Sequence, residues 1–549
     1  MLDASVIRKK CRLAISNILY EGITDVELFT RPFEIEFLKV EDIKKNFIDT
    51  ISDAIVSKEF EKLKLHKISH ILVPKKDLCD FRKCALVDVY DEIVYLTLVL
   101  LIVETIERER INRSNERIFS YRFSAPKDNS GQIFDSKYHF TAFRKKVEQK
   151  TKMQKNKILV ECDIANYYDR INIHRIESAL SSFKGIDSDI VRLINDLLLY
   201  WANRDSYSLP VGSNASRILA EAALINVDNN LLRHNVDFCR FVDDYRIFAK
   251  DAQSAHEQLA LLSESLNREG LFVNTSKTRM KDISSKLNIE NEITETLKEQ
   301  TTVLDDEPLN KGAESVDVPK IIRGYNGLIP TKFRELSQRE KEELTSKNLD
   351  EILKEVQKSA LLEPNEITSL IRTIGAQEKY KHIRHFNELL KKFPQFLPYF
   401  VDFVSKRYKS FPEGLLDNIK GSFVEWFEKE NTPEYILVYL VRLFRIDIVS
   451  KDVLLNVFRN LRRARGVYIG RALLEGLEDA LTRAEILEIR EYYDRADIWE
   501  KRQILRMAHK LPEGEKQAFF KNAKIRNDDL FIDRIASSKT NKNKKVKEK

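Results

Sequence analysis

Two short acidic segments of this chain contain the residue types that could bind divalent cations. The first, KILVECDIANYYDRI, places Asp163 at the end of a short run of β-forming residues. The second, RFVDDYRIF, places Asp243 and Asp244 between two apolar runs, a pattern that predicts a tight β-hairpin. Adjacent carboxylates repel each other unless a cation compensates them, and oxygen-rich sets of this kind suit Mg²⁺.

The chemistry that such carboxylates could support is phosphoryl transfer. Two ions about 3.5–4 Å apart can activate a 3′-hydroxyl and stabilise a leaving pyrophosphate. We therefore expect Asp163, Asp243 and Asp244 to be catalytic, with two Mg²⁺ ions, or Mn²⁺ in their place, as cofactors. Each motif alone also fits a structural role, because aspartate is common in turns and at helix N-termini.

The segments around these acids predict the elements that would position them. Between the two motifs, SLPVGSNASRILAEAAL predicts a Pro-x-Gly turn that leads into an amphipathic helix. After the hairpin, apolar residues at helical spacing from Ala252 to Leu266 predict another helix, and Gly270 follows it as a breaker. A short apolar segment and Lys277 come next. Residues 1–285 thus mix strand and helix signals.

The rest of the chain predicts a different architecture. Residues 286–335 are polar and interrupted by proline and glycine, so they form a linker. Residues 336–535 carry recurrent helical patterns, which predict paired helices stacked in a solenoid. The tail, 536–549, is basic and is expected to be disordered.

Two helix starts are predicted in the helical region. Thr432, followed by Pro433 and an acidic residue, offers an N-cap and a first-turn proline. Thr482 to Glu485 has the spacing of a capping box, in which each side chain bonds the other residue's backbone.

Composition sets broad limits on the class of protein. The 549 residues include 93 basic and 86 acidic side chains, a mild excess that permits a polyanionic partner without requiring one. The five cysteines form no CxxC pair, which favours a reducing cytoplasm. The longest apolar run, 93–103, is too short to span a bilayer, which needs about 20 residues, and no signal-peptide pattern is present. We expect a cytoplasmic protein with no membrane partner.

Four motifs, in order along the chain, resemble those of the reverse-transcriptase family. DIANYYD is similar to D-x-x-x-[FY]-[FY]-D, and LPVGSNAS is similar to P-x-G-x-x-x-S. FVDD stands where Y-x-D-D is usual, and GLFVNTSKT is similar to the L-x-x-x-x-K-T motif that follows it. Together with a basic segment upstream, ILVPKKDLCDFRKCALVDVYDEIV, the resemblance implies an α+β fingers and palm domain that polymerises deoxynucleoside triphosphates.

The resemblance implies a role for each matching residue of the acidic motifs. Asp163 and Asp243 would ligate both metals, with Asp244 helping, and the backbone carbonyl of Ile164 would complete one metal shell. Tyr168 would exclude a ribose 2′-hydroxyl and so select deoxynucleotides.

Substrate contacts are implied for the basic, glycine and serine residues of the other motifs. Lysine and arginine match phosphate oxygens, glycine would let backbone approach the nucleotide or primer, and serine would anchor the following helix. An ordinary solvated surface would account for the lysines equally well. The residues are Lys75, Lys76, Arg82, Gly212, Ser216 and Lys277.

The chain also departs from the usual family pattern. Val211 stands where templated reverse transcriptases carry a glutamine that touches the nascent base pair, which puts ordinary template reading in question. Phe241 replaces the usual tyrosine before the acidic pair. The segment NERIFSYRF and the residues of the acidic motifs DIANYYDRI and FVDDYRIF resemble those of the bacterial abortive-infection (Abi) reverse transcriptases.

Membership of that group implies several properties. They are antiphage defence, a HEAT-like α-helical second domain, a homo-oligomer (trimer or hexamer), and protein-primed synthesis of covalently attached single-stranded DNA without a template. A priming hydroxyl must reach the metals. Our candidate is Tyr20, in an N-terminal stretch that we expect to be mobile, although a packed aromatic residue would look the same.

Three points stay open at this level. The arginines of LRRARGVYIGR fit either a strand-binding surface or a solvated helix face. A templated RNA-dependent DNA polymerase would share all the acidic motifs. An oligomeric nucleic-acid-binding or sensing scaffold would keep the fold without requiring synthesis.

Overall fold

The computed structural model describes residues 3–75, 80–126, 130–202, 205–285, 330–359, 364–446, 450–461, 466–526 and 529–537. The chain divides into two compact units. Unit 1 comprises Met1–His70 and Lys83–Asn326, and unit 2 comprises Ile71–Arg82 and Gly327–Lys549. Of the expected linker, residues 286–329 lie outside the described residues, as do residues 538–549 of the expected tail.

The strands of the described residues form two sheets. β1 and β2 make a two-stranded sheet, and the other four strands form a sheet in the order β4-β5-β3-β6. The strands are β1 (Ser69–Pro74), β2 (Phe81–Leu86), β3 (Ile158–Asp163), β4 (Phe238–Phe241), β5 (Asp244–Ala249) and β6 (Arg279–Asp282).

Helices make up most of the rest of unit 1. They are α1 (Ala4–Glu21), α2 (Glu34–Phe37), α3 (Glu41–Ser57), α4 (Val89–Glu109), α5 (Phe140–Thr151), α6 (Tyr167–Arg170), α7 (Ile173–Ser181), α8 (Ser188–Ala202), α9 (Asn214–Ala223), α10 (Ile225–Arg233) and α11 (Ala252–Arg268). Short 3₁₀ turns cover Phe60–Leu63 and Arg113–Asn115.

The longest apolar run of the sequence lies in α4, the central helix of unit 1. The Asp88 side chain caps its N-terminus by accepting a hydrogen bond from the backbone of Tyr90. Helices α1, α8 and α9 pack against it, so it is apolar on nearly all sides. No helix in the described parts of the chain is long and apolar enough to cross a bilayer.

The N-terminal stretch is ordered, contrary to the expectation of a mobile arm. Residues 4–21 form α1, which packs on α3 and α4 and buries one face, including Ile15 and Ile18. Tyr20 is half-buried in the last turn of this helix. The stretch is amphipathic, and burial of its apolar face fixes it in place.

The described elements of unit 2 beyond the β-hairpin are helical. They are α12 (Gln338–Thr345), α13 (Leu349–Lys358), α14 (Pro364–Gln377), α15 (Ile383–Lys392), α16 (Leu397–Arg407), α17 (Leu415–Gly421), α18 (Glu434–Arg445), α19 (Lys451–Arg459), α20 (Tyr468–Leu477), α21 (Arg483–Glu491), α22 (Ile498–Ala508), α23 (Glu513–Arg526) and α24 (Leu530–Ser537). Further 3₁₀ turns cover Tyr380–His382, Pro394–Phe396, Tyr408–Ser410, Val424–Phe427 and Tyr493–Arg495.

The two predicted helix starts have different outcomes. The capping box at Thr482 and Glu485 is confirmed, with both reciprocal hydrogen bonds present. The N-cap at Thr432 is wrong, because α18 begins one residue later, after Pro433. The Thr432 hydroxyl instead donates to the Trp426 carbonyl, which ties the preceding turn.

One arginine of LRRARGVYIGR belongs to the interior of unit 2. Arg471 is 1% exposed, pairs with Glu475, and lies with its guanidinium 4.3 Å from the Trp499 ring centre. Neither a strand-binding surface nor a solvated face accounts for it. Residues 462–465 of the same segment lie outside the described residues.

Candidate active site

The sheet register brings the two acidic motifs together. β3 pairs antiparallel with β5, and Asp163 lies directly opposite Asp244 in that ladder. Residues opposite each other in an antiparallel pair have side chains on the same face, with Cα atoms about 4.5–5.5 Å apart. The backbone N–H of Ile164 donates to the Asp243 carbonyl at 3.2 Å. Groups about 80 positions apart in sequence therefore meet at one edge of the sheet.

The predicted hairpin is confirmed: Asp243 lies in its turn, and Asp244 is the first residue of β5. β4 ends at Phe241, which pairs with Asp244, so Val242 and Asp243 are the two turn residues. Val242 has φ +56. A β-branched residue in this left-handed region is strained, and such strain persists only where surrounding contacts hold it.

Asp163 and Asp244 have cationic neighbours. Asp163 lies 3.4 Å from the Lys277 ammonium and accepts a hydrogen bond from the Asn274 amide at 3.2 Å. Asp244 pairs with Arg246, which also lies 3.3 Å from Glu161. Each of these two acids therefore has a cation within ion-pair distance.

Burial raises the pKa of Asp244 from 3.8 to about 6, against the attraction of Arg246 and with repulsion from Asp163 and Glu161 adding to it. The negative charge at this position is therefore under-compensated by the protein's own cations. A divalent ion would supply the missing positive charge.

The residues at this edge fit a Mg²⁺ site by their chemistry. Carboxylate and backbone carbonyl oxygens are the ligands that hard divalent ions prefer, and Asp163, Asp243 and Asp244 lie at the same sheet edge as the backbone of Ile164. These residues would hold the ions. The Ile164 side chain itself is buried in the core and packs away from solvent.

A separate group of possible metal ligands lies at the N-terminus of α4. Atoms of His66, Asp88 and Asp91 lie within 4.8 Å of one another, the one such set of three found in the described part of the chain. His66 bonds Asp91 through its ring, at 3.0 Å, and its backbone, at 2.8 Å, while Asp88 caps the helix. These bonds anchor the loop before β1 to α4, which accounts for the cluster without an ion.

Lys277 lies beside Asp163, and its predicted contact with pyrophosphate stays a prediction. Its side chain is 58% exposed, and its backbone N–H donates to the carbonyl of Asn274. The Asn274 backbone in turn donates to the Asp163 carbonyl at 2.7 Å. The turn at 274–277 is thus attached to the end of β3, with the ammonium free to swing toward a phosphate or the carboxylate.

Tyr168 lies close to the aspartates and to the Pro-x-Gly turn. Its carbonyl accepts a hydrogen bond from Leu209 at 3.0 Å, and its ring stands edge-on to Tyr167, 5.6 Å between centres. Burial, with smaller contributions from Tyr121 and Asp243 among others, raises the pKa of the Tyr168 hydroxyl well above its ordinary value. The ring is therefore neutral and sits in the neighbourhood of Asp243.

Gly212 faces the N-terminal segment of the chain. It has φ +103, and a Cβ there would lie 2.3 Å from the Thr24 hydroxyl and 3.1 Å from Asp25. Asp25 also pairs with Arg217 of α9 at 2.5 Å. The close approach that this glycine permits is to Thr24, not to an open surface.

Ser216 is fully buried within α9. Its hydroxyl lies 3.2 Å from that of Tyr95 on α4. The anchoring part of its predicted role matches this placement, whereas a buried hydroxyl offers no surface to a substrate.

The basic residues of the upstream segment lie on the β1–β2 hairpin. Lys75 pairs with Asp80 across the hairpin, and Arg82 is half-buried on β2. Lys76 lies outside the described residues. Their triphosphate contacts stay a prediction.

Several residues around the site were missed in the sequence. Arg246 follows Asp244 by two residues, so strand alternation places both on one face, and this signal was available. Asn274 and Arg217 carry no local pattern, because their partners Asp163 and Asp25 are distant in sequence.

The raised pKa of Asp244 predicts how this residue affects stability. In the metal-free protein, ionisation of Asp244 lowers the free energy of unfolding. This loss develops as the pH rises from about 4 through about 6. Asp244→Asn should raise the free energy of unfolding by about 1–3 kcal/mol at pH 8 and by less at pH 5. Denaturant titration in EDTA measures this. Asp53→Asn, on exposed α3 surface, should change little at either pH; an equal gain there would contradict the prediction.

Comparison with known proteins identifies part of the chain. Residues 102–300 match the family model described as reverse transcriptase (RNA-dependent DNA polymerase). No curated protein matches the chain.

Two solved structures share weak similarity with the chain, both of telomerase in complex with the TWJ fragment of telomeric RNA. That from Candida albicans has 12% identity and TM-score 0.27, covering 76% of this chain and 66% of that one. That from Candida tropicalis has 13% identity and TM-score 0.26, covering 74% and 68%. The chain thus spans about two thirds of each telomerase. The family match is independent of these two structures: residues 102–300 match the reverse-transcriptase model, which supports nucleotidyl transfer by this chain.

Proposed function

We propose that this protein is a template-independent, protein-primed DNA polymerase of the reverse-transcriptase type that acts in abortive-infection defence against phage. The observation that carries the polymerase part is the pairing of Asp163 with Asp244, beside the Asp243 turn, inside a reverse-transcriptase domain. The finer part rests on the Abi-like motifs and on the departures around Val211.

The proposed chemistry is two-metal phosphoryl transfer. Bound Mg²⁺ ions would lower the pKa of the attacking hydroxyl and neutralise charge on the leaving pyrophosphate. Asp163 and Asp243 would hold both ions and Asp244 would assist. Lys277, already 3.4 Å from Asp163, would meet the pyrophosphate charge as it develops.

Template independence is supported by the surroundings of the Pro-x-Gly turn. Val211 is 8% exposed and offers no polar atom to a base pair. The next residue, Gly212, is backed by Thr24 and Asp25. We propose that the turn shapes a nucleotide pocket without reading a template base.

The remaining parts of the proposal follow from the Abi resemblance. They are a bacterial cytoplasmic setting, a HEAT-like arrangement of the helices of unit 2, and assembly into a homo-oligomer, a trimer or hexamer. The product would be single-stranded DNA attached to the protein. Tyr20 stays the candidate primer, although its half-buried place in α1 would require local opening to reach the metals.

Incubation with labelled dNTPs and Mg²⁺ tests the polymerase proposal. Label should become covalently attached to the protein without any primer or template, because the primer is a protein hydroxyl. Asp243→Asn should reduce incorporation by about 10²–10³-fold or more. Denaturing gels and intact mass measure the attached nucleotides.

Two results would point elsewhere. Label that appears only in added primer–template would indicate a templated RNA-dependent DNA polymerase. No incorporation under any condition would favour a nucleic-acid-binding scaffold.

The role proposed for Tyr168 predicts a change in sugar selection. Tyr168→Ala should lower the preference for dNTP over rNTP by about 10–200-fold, because removing the ring opens room for the 2′-hydroxyl. Tyr168→Phe keeps the ring and should keep the preference. Competing dNTP and rNTP incorporation measures the ratio of kcat/KM values. Equal selectivity in all three proteins would show that the gate lies elsewhere.

The defence proposal predicts that synthesis is required in cells. The double variant Asp243→Asn with Asp244→Asn should lose protection against phage, measured as plaque counts on expressing cells. Protein levels should be retained, since the Asp244 change relieves a buried charge. Protection equal to wild type would instead favour a sensing scaffold, and Asp53→Asn serves as the control.

A further inference from the structure

The turn that carries Asp243 is held by a buried arginine that the proposed chemistry does not use. Arg240 on β4 is 0% exposed, and its guanidinium points into unit 1 beneath the turn. We infer that Arg240 is a positioning residue, which fixes the Val242–Asp243 peptide and so aims the Asp243 carboxylate. This inference rests on the proposed function for its effect on catalysis.

All the donors of the Arg240 guanidinium have acceptors. Its Nε lies 3.0 Å from Asp228, Nη2 donates to Asp228 at 2.6 Å and to Glu221 at 2.9 Å, and Nη1 donates to Glu221 at 3.2 Å. The remaining Nη1 bond goes to the Val242 carbonyl at 2.7 Å. Arginine has five N–H donors in a rigid fork, so this contact is fixed in direction by the other four.

The acceptors that orient Arg240 are themselves fixed. Glu221 on α9 also accepts from Arg110 at 2.6 Å and from the Ser120 hydroxyl. Asp228 on α10 also accepts from the Tyr245 hydroxyl at 2.9 Å. Two arginines balance two carboxylates within this buried group. Movement of the Arg240 guanidinium would leave buried charge unpaired, which is energetically unfavourable.

The contact falls at the strained point of the turn. The carbonyl that Arg240 holds belongs to Val242, whose φ is +56. The next peptide is held from the other side, where the Ile164 N–H donates to the Asp243 carbonyl. Both peptides that flank Asp243 are therefore held, one by Arg240 and one by Ile164 at the end of β3, and together they set the direction of its Cα–Cβ bond.

Lysine cannot reproduce this arrangement. It keeps the charge but has three donors on one flexible atom, so it can balance Glu221 and Asp228 without also reaching the Val242 carbonyl. Arg240→Lys therefore separates charge balance from positioning. Arg122 provides a matched control, because it is 1% exposed and bonds Glu107 and the carbonyls of Ile111 and Ile118, away from the turn.

Mn²⁺ titration of the full, metal-free chain, followed by electron paramagnetic resonance without nucleotide, tests the inference directly. Asp243→Asn identifies the signal that belongs to this site. Arg240→Lys should raise the Mn²⁺ dissociation constant of that signal by about tenfold, while Arg122→Lys should stay within about twofold of wild type. In the polymerisation assay, Arg240→Lys should lower kcat by about 10²-fold with little change in KM for dNTP. The Asp243 carboxylate would no longer place the metal ions correctly, whereas nucleotide binding would be retained.

Equal Mn²⁺ affinities in Arg240→Lys and wild type, or equal losses in the two arginine variants, would overturn the inference. If Arg240→Lys fails to fold, Asp228→Asn loosens two of the guanidinium bonds at constant shape and should weaken Mn²⁺ binding in the same direction; unchanged binding there would overturn it as well. A wild-type protein that binds Mn²⁺ through Asp243 but incorporates no nucleotide would instead contradict the proposed function. In that case the Mn²⁺ titration alone would test the positioning role of Arg240.

Discussion

The repulsion between carboxylates crowded at one sheet edge is the constraint on which the rest of unit 1 depends. The β3–β5 register sets Asp163 against Asp244, and the turn adds Asp243 beside them. Water would screen these charges, but partial burial removes much of it and raises the pKa of Asp244. Arg246 and Lys277 neutralise part of this negative charge. The remaining negative charge suits the binding of divalent cations.

Below the sheet edge, in contrast, buried carboxylates are paired directly with buried arginines. Arg240 and Arg110 face Glu221 and Asp228, all five donors of the Arg240 guanidinium are used, and the group lies out of reach of solvent. Buried pairs of this kind add little net stability compared with apolar packing. Their value here is geometric, because the fully bonded Arg240 guanidinium cannot turn without breaking bonds and so holds a turn that its own backbone conformation disfavours.

The sequence predicted those features that local patterns encode. A β-forming run ending in Asp163, a two-residue acidic turn, the helix after it and the capping box at Thr482 all follow from short-range rules. Arg240 could not be predicted in this way, because a single arginine in a strand resembles a surface residue. The pairing of β3 with β5 and the order of the N-terminal stretch depend on contacts between distant segments, to which no local pattern points.

The contacts of α9 with the N-terminal segment also bear on how the chain reaches its native state. Asn214 donates to Asn17 and Glu21, and Arg217 donates to Asp25, so these bonds join positions 192–197 residues apart. At about 5–20 residues per second, a ribosome needs roughly 10–40 s to deliver the second partner after the first. During that interval the polar groups at the end of α1 lack their final partners. Closure of this long loop is then a late and slow step, and protection of the nascent N-terminal segment by a chaperone would matter most before residue 217 emerges.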